Sequence, residues 1–291
     1  MKYIQIVTGA SSGLGAEYAR QLAETRPVDE IWLFARRKDL LEKLAAEIQE
    51  TAESSGTPTT QKVRIFPADL AGSTGVSIVT NALRDAEKDQ RATSGQSDAD
   101  NEPGIIIDTL INNAGFGTYG TFEETPAERE LDMIDLNVYT LTGITHAALP
   151  YLKKGSRIIN VASLAAFIPL GNFAVYAATK AYVLSFSCGI GAELADRGIT
   201  VTAVCPGPVS TEFAQVASNG ARKNVVGGKD PVKVVAHSLR CADRKSPMAI
   251  YAVKWKLKAF LSRFVGRAFF ARHTYLHEKR PSTATKIVEN K

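Results

Sequence analysis

The sequence predicts a doubly wound α/β fold, in which a parallel sheet carries helices on both faces. Apolar segments of strand length alternate with segments whose apolar residues recur at helical spacing, and a glycine-rich turn follows the first segment. Each parallel strand needs a crossover before the next one can pair with it, so this alternation favours a parallel sheet. Of the 291 residues, 45% are hydrophobic and 22% are charged, which is typical of a globular protein with a sizeable core. One doubly wound domain over residues 1–250 therefore accounts for most of the chain.

The elements follow one another in a regular order. Six apolar segments are predicted strands, namely residues 3–8, 31–35, 63–66, 105–111, 157–161 and 199–204. Helical periodicity predicts five helices between them, the first with an apolar stripe of Ala16, Ala19, Leu22 and Ala23 and the others over residues 39–52, 73–87, 126–152 and 175–194. Residues 91–104 are polar and without periodicity, which predicts a flexible surface loop, and residues 281–291 are expected to be a disordered tail.

Cysteine and histidine usage excludes several classes of site. The three cysteines are far apart, without a CxxC pair, so they predict neither a disulfide framework nor a zinc site and favour a reducing compartment. They are Cys188, Cys205 and Cys241. Four histidines show no arrangement with an acid and a nucleophile, so hydrolysis and metal catalysis find no support: His146, His237, His273 and His277. No apolar run reaches 18 residues and the first residues do not resemble a signal peptide, so a cytoplasmic location is expected.

The excess of positive charge is local. Lys and Arg number 35 against 30 Asp and Glu, a net charge of +5. Residues 254–273 contain six basic residues and no acidic one, which leaves −1 for the rest of the chain and disfavours nucleic-acid binding. A basic amphipathic helix is predicted within residues 251–280, with an apolar stripe of Leu257, Phe260, Leu261, Phe264, Val265 and Ala268 and with Lys256, Arg263 and Arg267 opposite. Such a helix can lie on an anionic membrane, cover a pocket or pack on a partner subunit.

The turn between the first predicted strand and helix reads TGASSGLG over residues 8–15. Glycines there permit a tight turn and let backbone N–H groups approach a pyrophosphate, to which the helix N-terminus adds its partial positive charge. Structural turns use the same residues, but the position after an N-terminal strand favours a dinucleotide. The candidate phosphate-binding residues are Gly9, Ser11, Ser12, Gly13, Leu14 and Gly15.

Further motifs follow this turn in a fixed order. They are Asp69-Leu70, NNAG over residues 112–115, Asn137, Ser163, YAATK over residues 176–180 and PGPVST over residues 206–211. With the TGxxxGxG spacing, they resemble the short-chain dehydrogenase/reductase family over residues 2–211, in its non-extended type, which includes hydroxysteroid dehydrogenases and 3-ketoacyl reductases. The resemblance implies a Rossmann fold, a nicotinamide cofactor and a homodimer or homotetramer through the helices of residues 126–152 and 175–194.

The resemblance also assigns the cofactor-binding positions. It places Asp69 and Leu70 beside the adenine, the segment from Asn112 and Asn113 to Ala114 and Gly115 on the ribose side, and Pro206, Gly207, Val209 and Thr211 beside the nicotinamide. The second predicted strand ends in Arg36 and Arg37 rather than an acidic residue. Two guanidiniums can pair with a 2′-phosphate, which predicts NADP(H) rather than NAD(H). The alternative is that both simply start a solvated helix.

Tyr176 and Lys180 are the candidate catalytic pair. They lie four residues apart in a helical pattern, so their side chains share one face. A neighbouring ammonium lowers the pKa of a phenol, which suits Tyr176 to act as general acid and base. Ser163 is expected to hydrogen-bond the substrate oxygen, although it can also cap a helix. By resemblance, Lys180 also holds the nicotinamide ribose and Asn137 positions a water that relays protons.

The segment between Ser163 and Tyr176 is bulky and apolar, and Phe116, Tyr119 and Phe213 can add further walls. The sequence therefore predicts an NADP(H)-dependent oxidoreductase that interconverts a hydrophobic ketone and a secondary alcohol, with a steroid-like or 3-oxoacyl substrate. The alternative is a non-catalytic NADP(H)-sensing regulator or a membrane- or partner-binding protein.

Overall fold

The computed structural model describes residues 1–54, 61–94, 102–222, 225 and 227–282. Its strands are β1 (Lys2–Thr8), β2 (Glu30–Ala35), β3 (Lys62–Pro67), β4 (Ile105–Asn112), β5 (Arg157–Val161), β6 (Thr200–Val204) and β7 (Met248–Ala249). Its α-helices are α1 (Gly13–Thr25), α2 (Lys38–Ser54), α3 (Gly72–Ser94), α4 (Ala127–Ile134), α5 (Leu141–Ala148), α6 (Ala174–Leu194), α7 (Phe213–Ala217), α8 (Pro231–Asp243), α9 (Val253–Leu261) and α10 (Arg267–His277).

The strands form one parallel sheet in the order β3-β2-β1-β4-β5-β6-β7. This confirms the predicted doubly wound fold. The strand order reverses between β1 and β4, which are neighbours in the sheet. Ligands of open α/β sheets bind in the crevice at the carboxyl ends of strands on either side of such a reversal. The two-residue β7 and the helix α8 are absent from the sequence prediction.

The core lies on both faces of the sheet because the side chains of each strand alternate between them. In β2, Ile31 and Leu33 pack with α1 and α2, whereas Trp32 and Phe34 pack with α3 on the opposite face. All four side chains are fully buried. Such continuous apolar strands are typical of parallel sheets that helices cover on both faces.

Two predicted segments differ from the structure in their boundaries. The helix predicted over residues 126–152 consists of α4, a π-helical turn Asp135–Thr140, α5 and a 3-10 turn Leu149–Tyr151. Helix α3 continues to Ser94, so residues 91–94 of the predicted flexible loop are helical. Residues 95–101 of that loop, and the predicted tail beyond residue 282, lie outside the described residues, whereas residues 102–104 are described and lie in no helix or strand.

The prediction of one continuous amphipathic helix over residues 254–273 is wrong. The chain forms α9, a 3-10 turn Ser262–Phe264 and then α10, with extended backbone at Val265 and Gly266. Glycine favours such a break because it is a poor helix former. The predicted apolar stripe is also exposed, since Leu257 is 54% and Phe264 is 73% accessible.

Two surface observations concern the predicted partners. On the helices predicted to form a subunit interface, Leu131, Tyr139 and Tyr182 are exposed. Among the described residues, no helix combines the length and the apolar character that crossing a bilayer requires.

Candidate active site

A cavity of about 970 Å³ opens at the carboxyl ends of the central strands. Its wall contains every residue that the sequence predicts to bind a cofactor except Asn112 and Gly15. These wall residues are Gly9, Ser11, Ser12, Gly13, Leu14, Arg36, Arg37, Asp69, Leu70, Asn113, Ala114, Gly115, Tyr176, Lys180, Pro206, Gly207, Val209 and Thr211. The structure thus brings together segments that follow six different strands of the sheet.

The glycine-rich turn is fixed by hydrogen bonds to the end of β4. Asn113 Nδ2 donates to the carbonyl oxygens of Thr8 and Gly9 at 3.0 and 3.1 Å. The Thr8 hydroxyl accepts from the backbone N–H groups of Asn113 and Ala114, each at 3.0 Å. A Cβ at Gly15 would lie 2.1 Å from the Gly9 carbonyl oxygen. Gly15 therefore acts through packing of α1 against the turn rather than as part of the wall.

Arg36 and Arg37 directly precede α2 at the cavity rim, and both are exposed. Arg37 Nη2 donates to Ser12 Oγ at 2.7 Å and lies 2.9 Å from a carboxylate oxygen of Glu212. The guanidinium of Arg37 also lowers the pKa of Glu212. Arg37 therefore joins the turn to the segment before α7, an arrangement that the sequence alone does not reveal.

One position assigned by resemblance does not belong to the wall. Asn112 is buried in the sheet, where its Nδ2 donates to Thr145 Oγ1 and Asn160 Oδ1, both at 2.9 Å. As a residue of a strand, Asn112 points away from the neighbouring Asn113. The assignment of Asn112 to the ribose side is therefore wrong, whereas Asn113, Ala114 and Gly115 do line the cavity.

Tyr176 and Lys180 are both buried and lie one turn apart on α6. The Lys180 Nζ atom lies 5.8 Å from the centroid of the Tyr176 ring and donates to the Val161 carbonyl oxygen at 2.7 Å. Ser163 caps the 3-10 turn Leu164–Phe167, since its Oγ accepts from the Ala165 N–H at 3.1 Å. The Ser163 side chain also faces the Tyr176 phenol and acts to lower its pKa, so capping and a place at the reaction centre are compatible.

The pKa values of the pair differ from the expectation. Burial raises the pKa of Tyr176, and the Ser163 side chain only partly opposes that effect. Burial also lowers the pKa of Lys180 to about 8. Desolvation disfavours the charged forms of both groups, and it outweighs the expected lowering of the tyrosine pKa by the ammonium. The chain thus holds an uncharged phenol beside an ammonium that titrates close to neutral pH.

Asn137 lies on the π-helical turn, a distortion that is frequent at functional sites. Its Oδ1 accepts from the Phe116 N–H at 3.1 Å, while its Nδ2 donates to Phe116 O and Thr179 Oγ1 at 2.9 and 3.1 Å. A Cβ at Gly115 would lie 2.7 Å from Asn137 Oδ1 and 3.6 Å from Lys180 Nζ. Asn137 therefore sits behind Gly115, close to the lysine but outside the cavity wall.

Aromatic side chains form the wall next to Tyr176. The Phe173 ring stacks on the Tyr176 ring with centroids 4.1 Å apart, and Tyr119 meets Phe173 edge-on at 4.8 Å. Phe213 lies 5.4 Å from Tyr176 on another side. Phe116 is also part of the wall. The three aromatic residues that the sequence predicts as walls, Phe116, Tyr119 and Phe213, therefore all line the cavity.

The C-terminal helices complete the wall. The Gly171 N–H donates to Thr274 Oγ1 at 2.8 Å, and Asn172 Nδ2 donates to the Tyr275 carbonyl oxygen at 3.0 Å. A Cβ at Gly171 would lie 2.5 Å from Tyr275, so α10 packs directly on the loop before α6. Wall residues that sequence reasoning missed include Arg222, Trp255, Lys258, Glu278 and Arg280. They belong to no motif, and only helical periodicity drew attention to part of their segment.

Comparison with known proteins gives a consistent result. The short chain dehydrogenase family model matches residues 3–221. Sulfoacetaldehyde reductase 2 of Chromohalobacter salexigens is 32% identical over 232 residues, covering 76% of this chain and 78% of that protein.

Two solved structures resemble the chain over most of its length. One is a short-chain dehydrogenase from Sphingobium yanoikuyae in complex with NADPH, with a TM-score of 0.69, 28% identity, and coverage of 91% of this chain and 94% of that one. The other is the bulky-bulky ketone specific alcohol dehydrogenase from Comamonas testosteroni, with a TM-score of 0.66 and 26% identity. The match covers 91% of this chain and 92% of that one. Fold, motif order and family match together establish that the chain belongs to the short-chain dehydrogenase/reductase family.

Proposed function

We propose that the protein is an NADP(H)-dependent carbonyl reductase that interconverts a hydrophobic ketone and the corresponding secondary alcohol. The observation that carries the proposal is the meeting of Tyr176, Ser163 and Lys180 at one end of an aromatic-lined cavity. The related dehydrogenase with bound NADPH and the related alcohol dehydrogenase for bulky ketones support the same reaction class. A steroid-like or a 3-oxoacyl compound is compatible with these walls.

The cavity residues fit NADP(H). The turn from Gly9 to Gly13 precedes the N-terminus of α1, where backbone N–H groups and the helix dipole favour a pyrophosphate. Arg36 and Arg37 would hold the 2′-phosphate, because both guanidiniums are exposed at this edge of the cavity and guanidiniums pair with phosphates; Arg37 would exchange its ion pair with Glu212 for the phosphate. Lys180 would hold the nicotinamide ribose. The bound cofactor supplies a hydride to the carbonyl carbon.

The remaining chemistry falls to side chains of this chain. The phenol of Tyr176 donates its proton to the carbonyl oxygen as negative charge develops there. The Ser163 hydroxyl donates a hydrogen bond to the same oxygen and stabilises that charge. The ammonium of Lys180 stabilises the phenolate that remains, and one proton from solvent restores Tyr176. Each turnover therefore consumes one ketone, one NADPH and one proton and releases one alcohol and one NADP⁺.

The test is NADPH oxidation by the purified protein with a panel of lipophilic ketones, followed by absorbance. Oxidation above the substrate-free rate, with the alcohol identified as product, is the expected result. Tight NADPH binding without turnover on any carbonyl compound would contradict the proposal and favour the NADP(H)-sensing regulator. A sensor has no need of a proton donor, so the buried phenol of Tyr176 argues for the enzyme.

Replacing the two rim arginines should transfer the cofactor preference. In Arg36→Asp/Arg37→Ala, the aspartate can accept hydrogen bonds from ribose hydroxyls and repels a 2′-phosphate. We expect the NADPH/NADH ratio of kcat/KM to fall by about 100-fold, on the scale of two lost charge-assisted hydrogen bonds. Arg240→Ala, an exposed arginine on α8, is the matched control. An unchanged ratio in the double variant would overturn the cofactor assignment.

We also propose that α9 and α10 contact an anionic lipid surface. Phe260, Phe264 and Phe269 expose 54%, 73% and 63% of their surface, an unusual density of uncovered rings. Six exposed cations surround them, and no acidic residue occurs between residues 253 and 277. Interfacial helices combine an apolar face with cations in this way, each cation near anionic headgroups contributing about 1 kcal/mol.

The exposed thiol of Cys188 supports a reducing compartment.

Vesicle co-sedimentation tests this contact. The protein is expected to bind phosphatidylglycerol-containing vesicles at low salt and to be released by high salt, with little binding to pure phosphatidylcholine. Phe260→Ser/Phe264→Ser should reduce the bound fraction about tenfold, whereas Phe122→Ser, at a ring that is 70% exposed elsewhere, should not. Failure of the wild-type protein to bind anionic vesicles at low salt would rule out the lipid contact.

A further inference from the structure

A group of cations lines the cavity on the side away from the glycine-rich turn. Arg222, Lys258 and Arg280 all contribute to this wall, together with one carboxylate, Glu278. They come from the segment after α7 and from the C-terminal helices, so they are distinct from Arg36 and Arg37 at the other end. Arg222 and Arg280, which both face Tyr119, outnumber Glu278, which pairs with Arg280, so this part of the wall carries a net positive charge.

Arg280 lies close to the reaction centre. Its Cζ atom is 5.2 Å from the centroid of the Phe173 ring, and that ring stacks on Tyr176 at 4.1 Å. A single aromatic residue therefore contacts both the guanidinium and the proposed proton donor. The Arg280 Cζ atom is also 5.9 Å from the ring of Tyr119, and Arg222 Cζ is 5.6 Å from the same ring. Two guanidiniums thus meet at Tyr119.

The Arg280 guanidinium is partly buried, and the chain uses only some of its hydrogen-bond donors. Its side chain is 16% exposed. Nη1 donates to the Gly171 carbonyl oxygen at 3.2 Å and Nη2 donates to Glu278 Oε2 at 3.0 Å. A guanidinium has five N–H donors, so these two bonds leave capacity for an oxyanion. Burial lowers the pKa of Arg280, and the charge of Arg222 acts in the same direction, so a further anion would relieve both effects.

We propose that the substrate carries an anionic group, such as a carboxylate, sulfonate or phosphate, which Arg280 and Arg222 bind. The inference rests on the proposed carbonyl reduction and narrows its substrate class. The ketone oxygen would lie at Tyr176 and Ser163, and an apolar linker would run along Phe173 and Tyr119 to the two guanidiniums. An acidic oxo compound fits this arrangement, whereas a neutral steroid would leave the two guanidiniums with Glu278 as the one carboxylate beside them.

The test compares a series of oxo-carboxylates of increasing chain length with their methyl esters, using kcat/KM with NADPH. In the wild-type protein, the best carboxylate should exceed its ester. In Arg280→Gln and Arg222→Gln, the carboxylate/ester ratio should fall by about 10- to 100-fold, because a charge-assisted hydrogen bond is lost. Arg240→Gln is the control for loss of one surface cation. Arg280→Lys, which keeps the positive charge, should keep part of the preference for the carboxylate over its ester.

A second readout separates this proposal from the proposed function and from a structural role. Calorimetry in the presence of NADP⁺ should show that the best carboxylate binds the wild-type protein and binds both glutamine variants at least tenfold more weakly. If esters turn over and the ratio is the same in every variant, the anion site is wrong while the reductase stands. If neither class turns over, the reductase is wrong, and binding of carboxylates then decides the anion site. If the carboxylate binds the wild-type protein and both glutamine variants equally well, the proposed anion site is wrong.

Discussion

Tyr176→Phe is expected to lower kcat for ketone reduction by about 100- to 10,000-fold, the usual contribution of a positioned proton donor. The substitution removes one oxygen from a ring that is held by stacking on Phe173, so the cavity should keep its shape. The dissociation constant of NADPH, measured by its fluorescence, should change little. Loss of catalysis with retained cofactor binding would identify the hydroxyl as the group that moves the proton.

Tyr182→Phe is the matched control for this substitution. Tyr182 lies on the same helix and its hydroxyl also makes one hydrogen bond, to Thr142 Oγ1 at 2.9 Å, but it is exposed and remote from the wall. Its removal should leave kcat within about twofold, on the scale of an exposed hydrogen bond. Undiminished turnover in Tyr176→Phe would refute the mechanism, whatever the control shows.

Lys180→Met is expected to abolish activity and to stabilise the fold. Burial lowers the lysine pKa from 10.5 to about 8, so at neutral pH the folded state holds an ammonium that water would hold more favourably. The lowered pKa corresponds to a destabilisation of the folded wild-type protein by about 3 kcal/mol, which the variant removes. The variant also loses the hydrogen bond to Val161 O, which destabilises it by about 1 kcal/mol. The free energy of unfolding at pH 7 should therefore rise by about 2 kcal/mol, while kcat falls about 100-fold or more.

The stability difference between Lys180→Met and the wild-type protein should depend on pH. Between pH 8 and 10.5, the unfolded lysine holds a proton that the folded one has released, so the wild-type protein gains stability as pH rises. The advantage of Lys180→Met is therefore fully present below pH 8 and disappears by about pH 10.5. Urea denaturation at a series of pH values measures it, with Lys233→Met on the exposed side of α8 as control. A variant that is less stable than the wild-type protein at pH 7, with an intact hydrophobic core, would contradict the desolvation argument.

The sheet and the catalytic pair were predictable because each depends on local spacing. Ile31 and Leu33 alternate with Trp32 and Phe34, and that period of two identifies a strand buried on both faces. Tyr176 and Lys180 are four residues apart, so a helix alone brings them together. The turn at Gly9 follows directly from its position between β1 and α1. None of these features requires knowledge of contacts between distant segments.

The features that sequence reasoning missed depend on such contacts. The pKa of Tyr176 rises because residues distant in sequence, such as Phe116, Met133 and Phe213, pack around it, whereas the spacing to Lys180 suggested the opposite shift. Arg280 lies in the cavity only because α10 packs on Gly171, more than one hundred residues earlier. The strand β7 is two residues long, too short to show a period. Asn112 and Asn113 are adjacent in a motif, yet only the pleat decides which one faces the cavity.

The packing of α10 on Gly171 and Asn172 has a consequence for the order in which the protein matures. A chain synthesised as far as β7 possesses every strand of the sheet and every residue of the glycine-rich turn. The wall that carries Arg280 is still missing, because residues 267–280, which pack on Gly171 and Asn172, are synthesised after β7. The residues proposed to bind the cofactor are thus synthesised before the residues proposed to select the substrate. Exchanging this short terminal segment between relatives should redirect the choice of substrate without rebuilding the scaffold that binds the nucleotide.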